Sequence, residues 1–396
     1  MSDIGGKLHL TIQRDGTATP VQLEDLDGPI RRITSALDQA AVGWDYAQPM
    51  LKQAVFAKCL YTLASCGSEL DHQLRKTCGD SIDEWQRIHL VPSTIEFFPL
   101  EYVYTGPPPK TGAEVCPNVL GALENGTCDR AVPGSPDPGP CPNQHDKGFL
   151  CPMHFWGFGR LIERNGTTSP EMPASGTQGT SMCGCVPTKS PYGKVEGLLF
   201  AASNRVFRYK TKLEEQAWER AALLKELAEC FGNVADVSNW DDWRERVEKT
   251  TPNLLLLVAH SDKYLSTPVL EIGDKQLLGR HEIDRDLSGA AGRPQLLVLL
   301  GCSTAGVTEN FQPYPERFRD AGVSIVLAPV APIRGADAVP IAKALAHLLQ
   351  SRLAQPEPTA FGELLPLLRR QLLRAGQPGV MGVVGFGDGD WLLGGQ

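Results

Sequence analysis

The sequence lacks the features that mark exported, membrane-spanning and nucleic-acid-binding proteins. No apolar run approaches the roughly 20 residues that a bilayer-spanning helix needs, and residues 1–6 do not show the charged-then-apolar pattern of an export signal. The chain has no basic stripe, and its net charge of -8 disfavours binding to phosphate-rich polymers. We therefore expect a cytoplasmic protein with no membrane partner and no nucleic-acid partner.

Two short apolar runs end on residues that carry chemistry. Residues 254–259 (LLLLVA) lead into His260, and residues 296–300 (LLVLL) lead, through one glycine, into Cys302. Short, continuous runs bounded by turn signals are typical of parallel strands that are buried on both faces. Because residues at the carboxyl ends of such strands face the crevice of an open sheet, we expect His260 and Cys302 to meet there.

A thiol beside an imidazole is a nucleophile, because the imidazole favours the thiolate and can later protonate a leaving amine. Each residue taken alone has a structural alternative, since free cysteine is among the most buried residue types and a histidine can belong to a core. Two matching strand ends in one chain favour the catalytic interpretation of His260 and Cys302.

The surroundings of Cys302 lack the marks of two other nucleophile sites. A phosphate-binding cysteine loop needs an arginine shortly after the cysteine, but residues 303–308 read STAGVT. A hydrolase nucleophile elbow needs glycine two positions before and two positions after the nucleophile. Leu300 and Thr304 occupy those positions, so both alternatives are excluded.

The order of these motifs resembles that of CHAT domains, which are relatives of caspases and separase. The resemblance rests on the two strand ends and on four further stretches, FRDAGVSIV at 318–326, WDDW at 240–243, IEFFPLE at 95–101 and GFGDGDW at 385–391. It extends over most of the chain from about residue 88, apart from one insertion. It implies an α/β fold in which a caspase-like, mostly parallel sheet is flanked by helices.

The 396 residues divide by composition into three parts. Residues 1–104 carry strand and helix patterns, and the resemblance implies that they form a degenerate N-terminal half of the fold. Residues 105–192 are rich in Cys, Pro and Gly, and we expect an insertion that ends in a mobile loop. Residues 193–396 return to strand and helix patterns and hold both His260 and Cys302, so we expect the catalytic part there.

The insertion needs something other than an apolar core to order it, because long structureless segments are rare inside compact domains. Thiolate and imidazole are the ligands that zinc prefers. We predict a structural zinc ion bound by Cys116, Cys128, Cys141 and Cys151, with His154 as the substitute ligand. The alternative is a set of uncoordinated thiols. Catalysis through Cys302 requires no cofactor.

The resemblance implies cleavage of a peptide bond by the Cys302 thiolate, with His260 protonating the departing amine. Backbone N–H groups stabilise the oxyanion in such reactions, and the candidates are those of Ser261 and Cys302. Caspase relatives usually have glycine directly after the histidine, whereas this chain has Ser261. That side chain would narrow the oxyanion hole.

Substrate choice and processing give weaker signals. An acidic wall built from Asp262, Asp274 or Asp284 would favour Arg or Lys before the cleaved bond, and the alternative for all three residues is a solvated surface. Caspase relatives are often activated by cleavage in a loop, and Lys189 and Lys194 are the candidate processing sites in this chain.

Three classes of function follow. The first is a cytosolic cysteine endopeptidase that cleaves specific protein substrates, in a bacterial defence or cell-death pathway as CHAT proteins often do. The second is a catalytically inactive CHAT scaffold. The third is a metal-regulated or redox-regulated module, in which the cysteine-rich insertion responds to a regulatory protein partner.

Overall fold

The computed structural model gives the chain helices along both sides of one large sheet. It describes residues 7–14, 17–24, 27–90, 98–128, 141–143, 145–164, 192–206, 220–264, 267–289, 295–302, 313–331 and 333–394. The helices are α1 (Asp27–Gly43), α2 (Ala54–Cys78), α3 (Val119–Asn125), α4 (Arg220–Phe231), α5 (Trp240–Thr250), α6 (Pro313–Asp320), α7 (Gly335–Leu353) and α8 (Leu364–Arg374). Within these ranges, no helix has the length and apolar character that a membrane crossing requires.

The strands form one large sheet and three small ones. In chain order they are β1 (Lys7–Arg14), β2 (Thr17–Glu24), β3 (Arg87–Leu90), β4 (Glu114–Val115), β5 (Phe149–Leu150), β6 (Leu161–Arg164), β7 (Leu198–Ala202), β8 (Val234–Val237), β9 (Leu254–Tyr264), β10 (Thr267–Ile272), β11 (Gln276–Gly279), β12 (Leu296–Cys302), β13 (Ile325–Pro329), β14 (Thr359–Ala360), β15 (Val383–Gly387) and β16 (Leu392–Leu393). The small sheets are the pairs β1–β2, β4–β5 and β14–β16.

The large sheet has a parallel centre. Its order is β8-β7-β9-β12-β13-β15-β6-β3, and the hairpin β10–β11 joins β9 beyond the end of β7. The pairs from β8 to β13 are parallel, whereas β15 runs antiparallel to both of its neighbours and the hairpin is antiparallel to β9. The predicted α/β class, a largely parallel sheet flanked by helices, is confirmed.

The two apolar runs form the middle of this sheet. Residues 254–259 of β9 and residues 296–300 of β12 are each at most 4% exposed. Burial of one such Leu or Val side chain contributes roughly 1.5–3 kcal/mol. Because helices cover both faces of the sheet at this point, neither face of the strand can be polar.

Helices cover the sheet on both faces. On one side, α7 packs between α4 and α8 and lies against β12. Connections between parallel strands are right-handed. The chain moves from β7 to β8 on one side of it, and then crosses back to β9 on the other side. That reversal puts α5 on the face opposite α4, where it packs against β7 and β8.

The N-terminal part and the predicted insertion both contribute to the large sheet. The N-terminal part supplies the edge strand β3. The sequence pattern predicts a strand over residues 95–104 that is broken by Pro99, and a 3-10 turn at Leu100–Tyr102 follows that proline. Within the segment 105–192, β6 lies between β15 and β3, so this segment is not purely an appendage. Only long-range pairing reveals that role.

Candidate active site

His260 and Cys302 end the parallel pairing of β9 with β12. The register runs from Leu254 opposite Leu296 to His260 opposite Cys302, the last residue of β12. Neighbouring strands lie about 4.8 Å apart, and residues in register share a face of the sheet. The side chain of His260 is half-buried, and that of Cys302 lies outside the described part of the structure. The backbone therefore brings the two residues to adjacent positions.

The sequence pattern predicts that β9 ends at His260, but the strand continues to Tyr264. Beyond the end of β7, β10 becomes the neighbour of β9. Pairing of the two strands begins, in the direction of β9, with His260 opposite Glu271. The prediction of the strand end was wrong, because the hairpin supplies backbone partners that keep this polar stretch extended. His260 consequently lies between one parallel and one antiparallel neighbour.

Glu271 extends the row of residues across the sheet beside His260. Its side chain is 1% exposed. The hydroxyl of Ser203 donates to its Oε1 over 2.9 Å, and the Nε of Arg205 lies 3.3 Å from the same oxygen. Its Oε2 is buried without a hydrogen-bond partner among the described residues. Glu271, His260 and Cys302 therefore occupy neighbouring positions on three adjacent strands, as a carboxylate, an imidazole and a thiol residue.

The hairpin that carries Glu271 is fixed at its turn. Gly273 has φ 54°, and a Cβ there would collide with the carbonyl oxygen of Ser238. The backbone N–H of Asn204 donates to the Gly273 carbonyl over 2.7 Å. The indole N–H of Trp240 donates to the Gln276 carbonyl over 3.1 Å. These contacts hold β10 in a position that depends on glycine at the turn.

Two of the other predicted site residues follow His260 directly on β9. Ser261 is within β9, in register with Leu270, and Asp262 follows it opposite Val269. The Asp262 side chain lies outside the described part. Asp274 is exposed in the turn between β10 and β11.

Asp284 has an identifiable local role. It is exposed and caps a 3-10 turn, where its carboxylate accepts from the backbone N–H of Asp286 over 3.1 Å. The candidate processing residue Lys194 is exposed, and its Nζ lies 3.8 Å from a carboxylate oxygen of Glu196. Lys189 lies outside the described residues.

A second cysteine and histidine meet on the outer helices. Cys230 of α4 places its Sγ 3.4 Å from Nδ1 of His347 on α7, and the Nε2 of that ring lies 2.9 Å from Oε1 of Glu226. Burial, with further repulsion from Glu226 and Glu229, raises the pKa of the Cys230 thiol. A raised pKa leaves less thiolate at neutral pH, so this pair is the weaker nucleophile candidate.

The predicted metal ligands lie far along the chain from His260 and Cys302. The thiols of Cys116, Cys128, Cys141 and Cys151 are buried in one contact cluster. His154, the predicted substitute ligand, packs its ring edge-on against Tyr104 with centroids 5.6 Å apart.

The carboxylates of Glu163, Asp388 and Asp390 also lie together, with one oxygen of each within 4.8 Å of the others. Arg87 forms an ion pair with Asp390. Burial, reinforced by the two aspartates, raises the pKa of Glu163 to about 7. Partial protonation of Glu163 near neutral pH and the ion pair with Arg87 therefore reduce the negative charge of this group.

No protein-family model matches the chain, and no curated protein matches it. The structure is similar to that of gingipain R (RgpB), an Arg-specific cysteine proteinase, with a TM-score of 0.41 and 11% identity over 93% of this chain and 76% of that chain. The complex of RgpB pro- and mature domains from Porphyromonas gingivalis gives a TM-score of 0.40 and 11% identity over 93% and 77%. Pro-Sf-caspase-1 gives 0.28 and 15% over 50% and 85%.

Gingipain R is a cysteine proteinase, but TM-scores this low carry no functional argument. Membership of the CHAT family stays a prediction. The functional case therefore rests on the residues of the chain itself.

Sequence reasoning missed Glu271 and Ser203. One signal was available for Glu271, which is the charged residue in the apolar stretch VLEI at 269–272. A charged residue between buried neighbours indicates a polar partner. The identity of that partner depends on the pairing of β7 with β9, which no local pattern in the sequence gives.

Proposed function

We propose that the chain is a cysteine endopeptidase in which Cys302 is the nucleophile and His260 is the acid and base. The supporting observation is the parallel register of β9 with β12, which ends with these two residues opposite each other. Both lie where the buried parts of the strands end, which is where open α/β sheets bind their ligands.

The reaction proceeds in two stages. The Cys302 thiol loses its proton to His260, and the sulfur attacks the carbonyl carbon of the scissile peptide. His260 then gives this proton to the departing amine, and the acyl group stays on sulfur. In the second stage His260 accepts a proton from water, and the hydroxide attacks the acyl carbon. The carbon–sulfur bond breaks, His260 returns the proton to the sulfur of Cys302, and the new carboxyl terminus leaves. The backbone N–H groups of Cys302 and Ser261 are the proposed oxyanion donors.

Glu271 supplies the negative charge next to the imidazole. During the first stage His260 becomes an imidazolium, and a buried carboxylate in the adjacent register position stabilises that cation. The hydroxyl of Ser203 and the guanidinium of Arg205 hold Glu271 from its other side. Glu271 is therefore a positioning residue and does not take part in proton transfer.

The proposed substrates are proteins with Arg or Lys before the cleaved bond. The support is Asp262, which is two residues beyond His260 on β9. Asp274 is the second candidate for the pocket wall. The role of Asp284 as a turn cap makes it the weakest of the three. A place in bacterial defence rests on the CHAT resemblance alone.

Covalent labelling tests the proposal. Peptides that carry an acyloxymethyl ketone after Arg, Lys or Leu are incubated with the purified chain, and the labelled residue is identified by peptide mass spectrometry. We expect one label on Cys302 from the basic probes. Cys302→Ser should abolish labelling, and His260→Ala should slow it by roughly a hundredfold or more.

Cys230→Ser is the matched control, because Cys230 is a half-buried cysteine that contacts a histidine, His347. It should label at the wild-type rate. Loss of labelling in Cys230→Ser with retention in Cys302→Ser would move the nucleophile to the outer helices. A folded wild type that no probe labels would refute the protease proposal and leave the scaffold alternative.

A further inference from the structure

Four cysteines form a small cluster of their own, apart from the main core. Cys116, Cys128, Cys141 and Cys151 are each at most 6% exposed, and Ala122 is the remaining fully buried member of the cluster. Four thiols and one alanine bury little apolar surface. Units too small to build a core are usually held by disulfides or by a metal.

The sulfur atoms lie in two close pairs. Sγ of Cys116 is 3.6 Å from Sγ of Cys141, and Sγ of Cys128 is 2.9 Å from Sγ of Cys151. Tetrahedral zinc with Zn–S bonds of about 2.3 Å separates its sulfurs by about 3.8 Å, whereas a disulfide is about 2.05 Å long. Both pairs are longer than a disulfide; the first is close to an edge of the zinc tetrahedron, and the second is shorter than that edge. No three of the four sulfurs lie within 4.8 Å of one another, so one ion must draw the two pairs together.

Two of the cysteines occur in identical Cys-Pro-Asn tripeptides, and their asparagines interact reciprocally. The side-chain amide of Asn118 donates to Sγ of Cys141 over 3.7 Å, and that of Asn143 donates to Sγ of Cys116 over the same distance. Burial raises the pKa of the Cys116 thiol to about 11, and the amide donors act in the opposite direction, towards the thiolate that binds a metal. Such donors are not expected around a cluster that is held by apolar contacts alone.

Backbone amides make the same kind of contact. The N–H of Asn118 donates to the sulfur of Cys116, two residues earlier, and the N–H of Met153 donates to the sulfur of Cys151. In both cases a proline follows the cysteine and turns the chain so that the next amide faces the sulfur. Sulfurs in the cluster thus receive N–H donors from side chains and from backbone.

The position of the cluster gives it a structural task. The strands β3 and β6 are parallel neighbours in the large sheet, so the chain between them is a crossover connection. Such a connection is usually a helix. Here it comprises residues 91–160 and includes α3, the short pair β4–β5 and all four cysteines. A link among the cysteines closes this connection.

We propose that Cys116, Cys128, Cys141 and Cys151 bind one structural zinc ion that closes the crossover between β3 and β6. The site has four thiolates and no open position, so the ion has no catalytic role. His154, whose ring packs edge-on against Tyr104, is not needed in this ligand set. This proposal is independent of the protease proposal, because none of these residues belongs to the register of His260 and Cys302.

Metal content of the purified chain is the first test. Elemental analysis of protein expressed with zinc in the medium should give one zinc per chain. Zinc replaced by Co²⁺ should show the intense visible absorption of a tetrahedral cobalt thiolate. Cys116→Ser and Cys141→Ser should lose the metal, whereas Cys78→Ser and Cys230→Ser, which change half-buried cysteines elsewhere, should retain it.

Because ligand variants can fail to fold, Asn118→Ala and Asn143→Ala provide a second test. Each should keep the fold and weaken zinc affinity by roughly 10–100-fold, as loss of a hydrogen bond to a ligand typically does. His154→Gln should retain one zinc per chain, and loss of zinc there would overturn the four-cysteine ligand set. Metal-free protein that is folded would overturn the proposal, whether its intact mass shows two disulfides or four free thiols.

Discussion

Replacement of Glu101 by Gln tests the buried ion network that links Glu101 with Arg164 and Arg369. The carboxylate of Glu101 receives both terminal nitrogens of Arg164, at 2.5 Å each, and lies 3.8 Å from Nη2 of Arg369. All three side chains are at most 4% exposed. The change to Gln removes the carboxylate that both guanidinium groups face, in a site from which water is excluded.

The expected loss of stability follows from what each arginine retains. Arg164 keeps the Phe98 carbonyl as an acceptor, and Arg369 keeps the carbonyls of Gly157 and Val383. The two arginines therefore keep part of their hydrogen bonding but lose the ion pair with Glu101. Breaking a buried pair from one side typically costs about 3–5 kcal/mol. We expect Glu101→Gln to lower the free energy of unfolding by that amount.

Urea unfolding followed by circular dichroism measures the difference. The matched control is Glu124→Gln, because Glu124 pairs with Arg374 at 3.1 Å but both side chains are about half exposed. Exposed pairs contribute about 1 kcal/mol or less. If Glu101→Gln changes stability no more than Glu124→Gln does, the network is hydrated and the reasoning is wrong.

Two further predictions concern buried carboxylates. Burial raises the pKa of Asp337 from 3.8 to about 6, although Tyr46 donates to its carboxylate. The folded chain therefore holds this proton more tightly than the unfolded chain, and Asp337 destabilises the fold at neutral pH by up to about 3 kcal/mol. That penalty disappears as the pH falls from about 6 towards 4. Asp337→Asn should thus be stabilising at pH 8 relative to its effect at pH 4, as measured by urea unfolding at both values, and an equal effect at both would contradict the assignment. For Glu271→Gln, we expect kcat of peptide cleavage to fall at least tenfold with KM little changed, because the imidazolium loses its neighbouring charge. Rise of KM alone, as determined from initial rates, would instead indicate a contact with substrate.

Parts of the fold that depend on local pattern could be predicted from the sequence. The strands β9 and β12 could be predicted from their apolar runs, because burial on both faces disfavours polar residues there. The start of α5 could be predicted because Asn is a favoured cap residue. The side chain of Asn239 accepts a hydrogen bond from the backbone N–H of Asp242 over 2.7 Å.

Other parts depend on distant partners and could not be predicted. Aspartate is a residue type that favours helix caps, but Asp337 is buried in the first turn of α7, which begins at Gly335. The polar stretch after His260 stays extended only because β10 pairs with it. The place of β6 between β15 and β3 is equally invisible, since four residues give no information about which strands they join.

The place of β6 has a consequence for how the molecule can be made and divided. Its one neighbour, β3, precedes it by a 70-residue connection, whose closure costs about 4 kcal/mol of chain entropy. Its other neighbour, β15, is synthesised more than 200 residues later. The first half of the polypeptide thus emerges from the ribosome with an unfinished sheet edge, which only the last segment completes. The two halves interlock, and neither should fold alone.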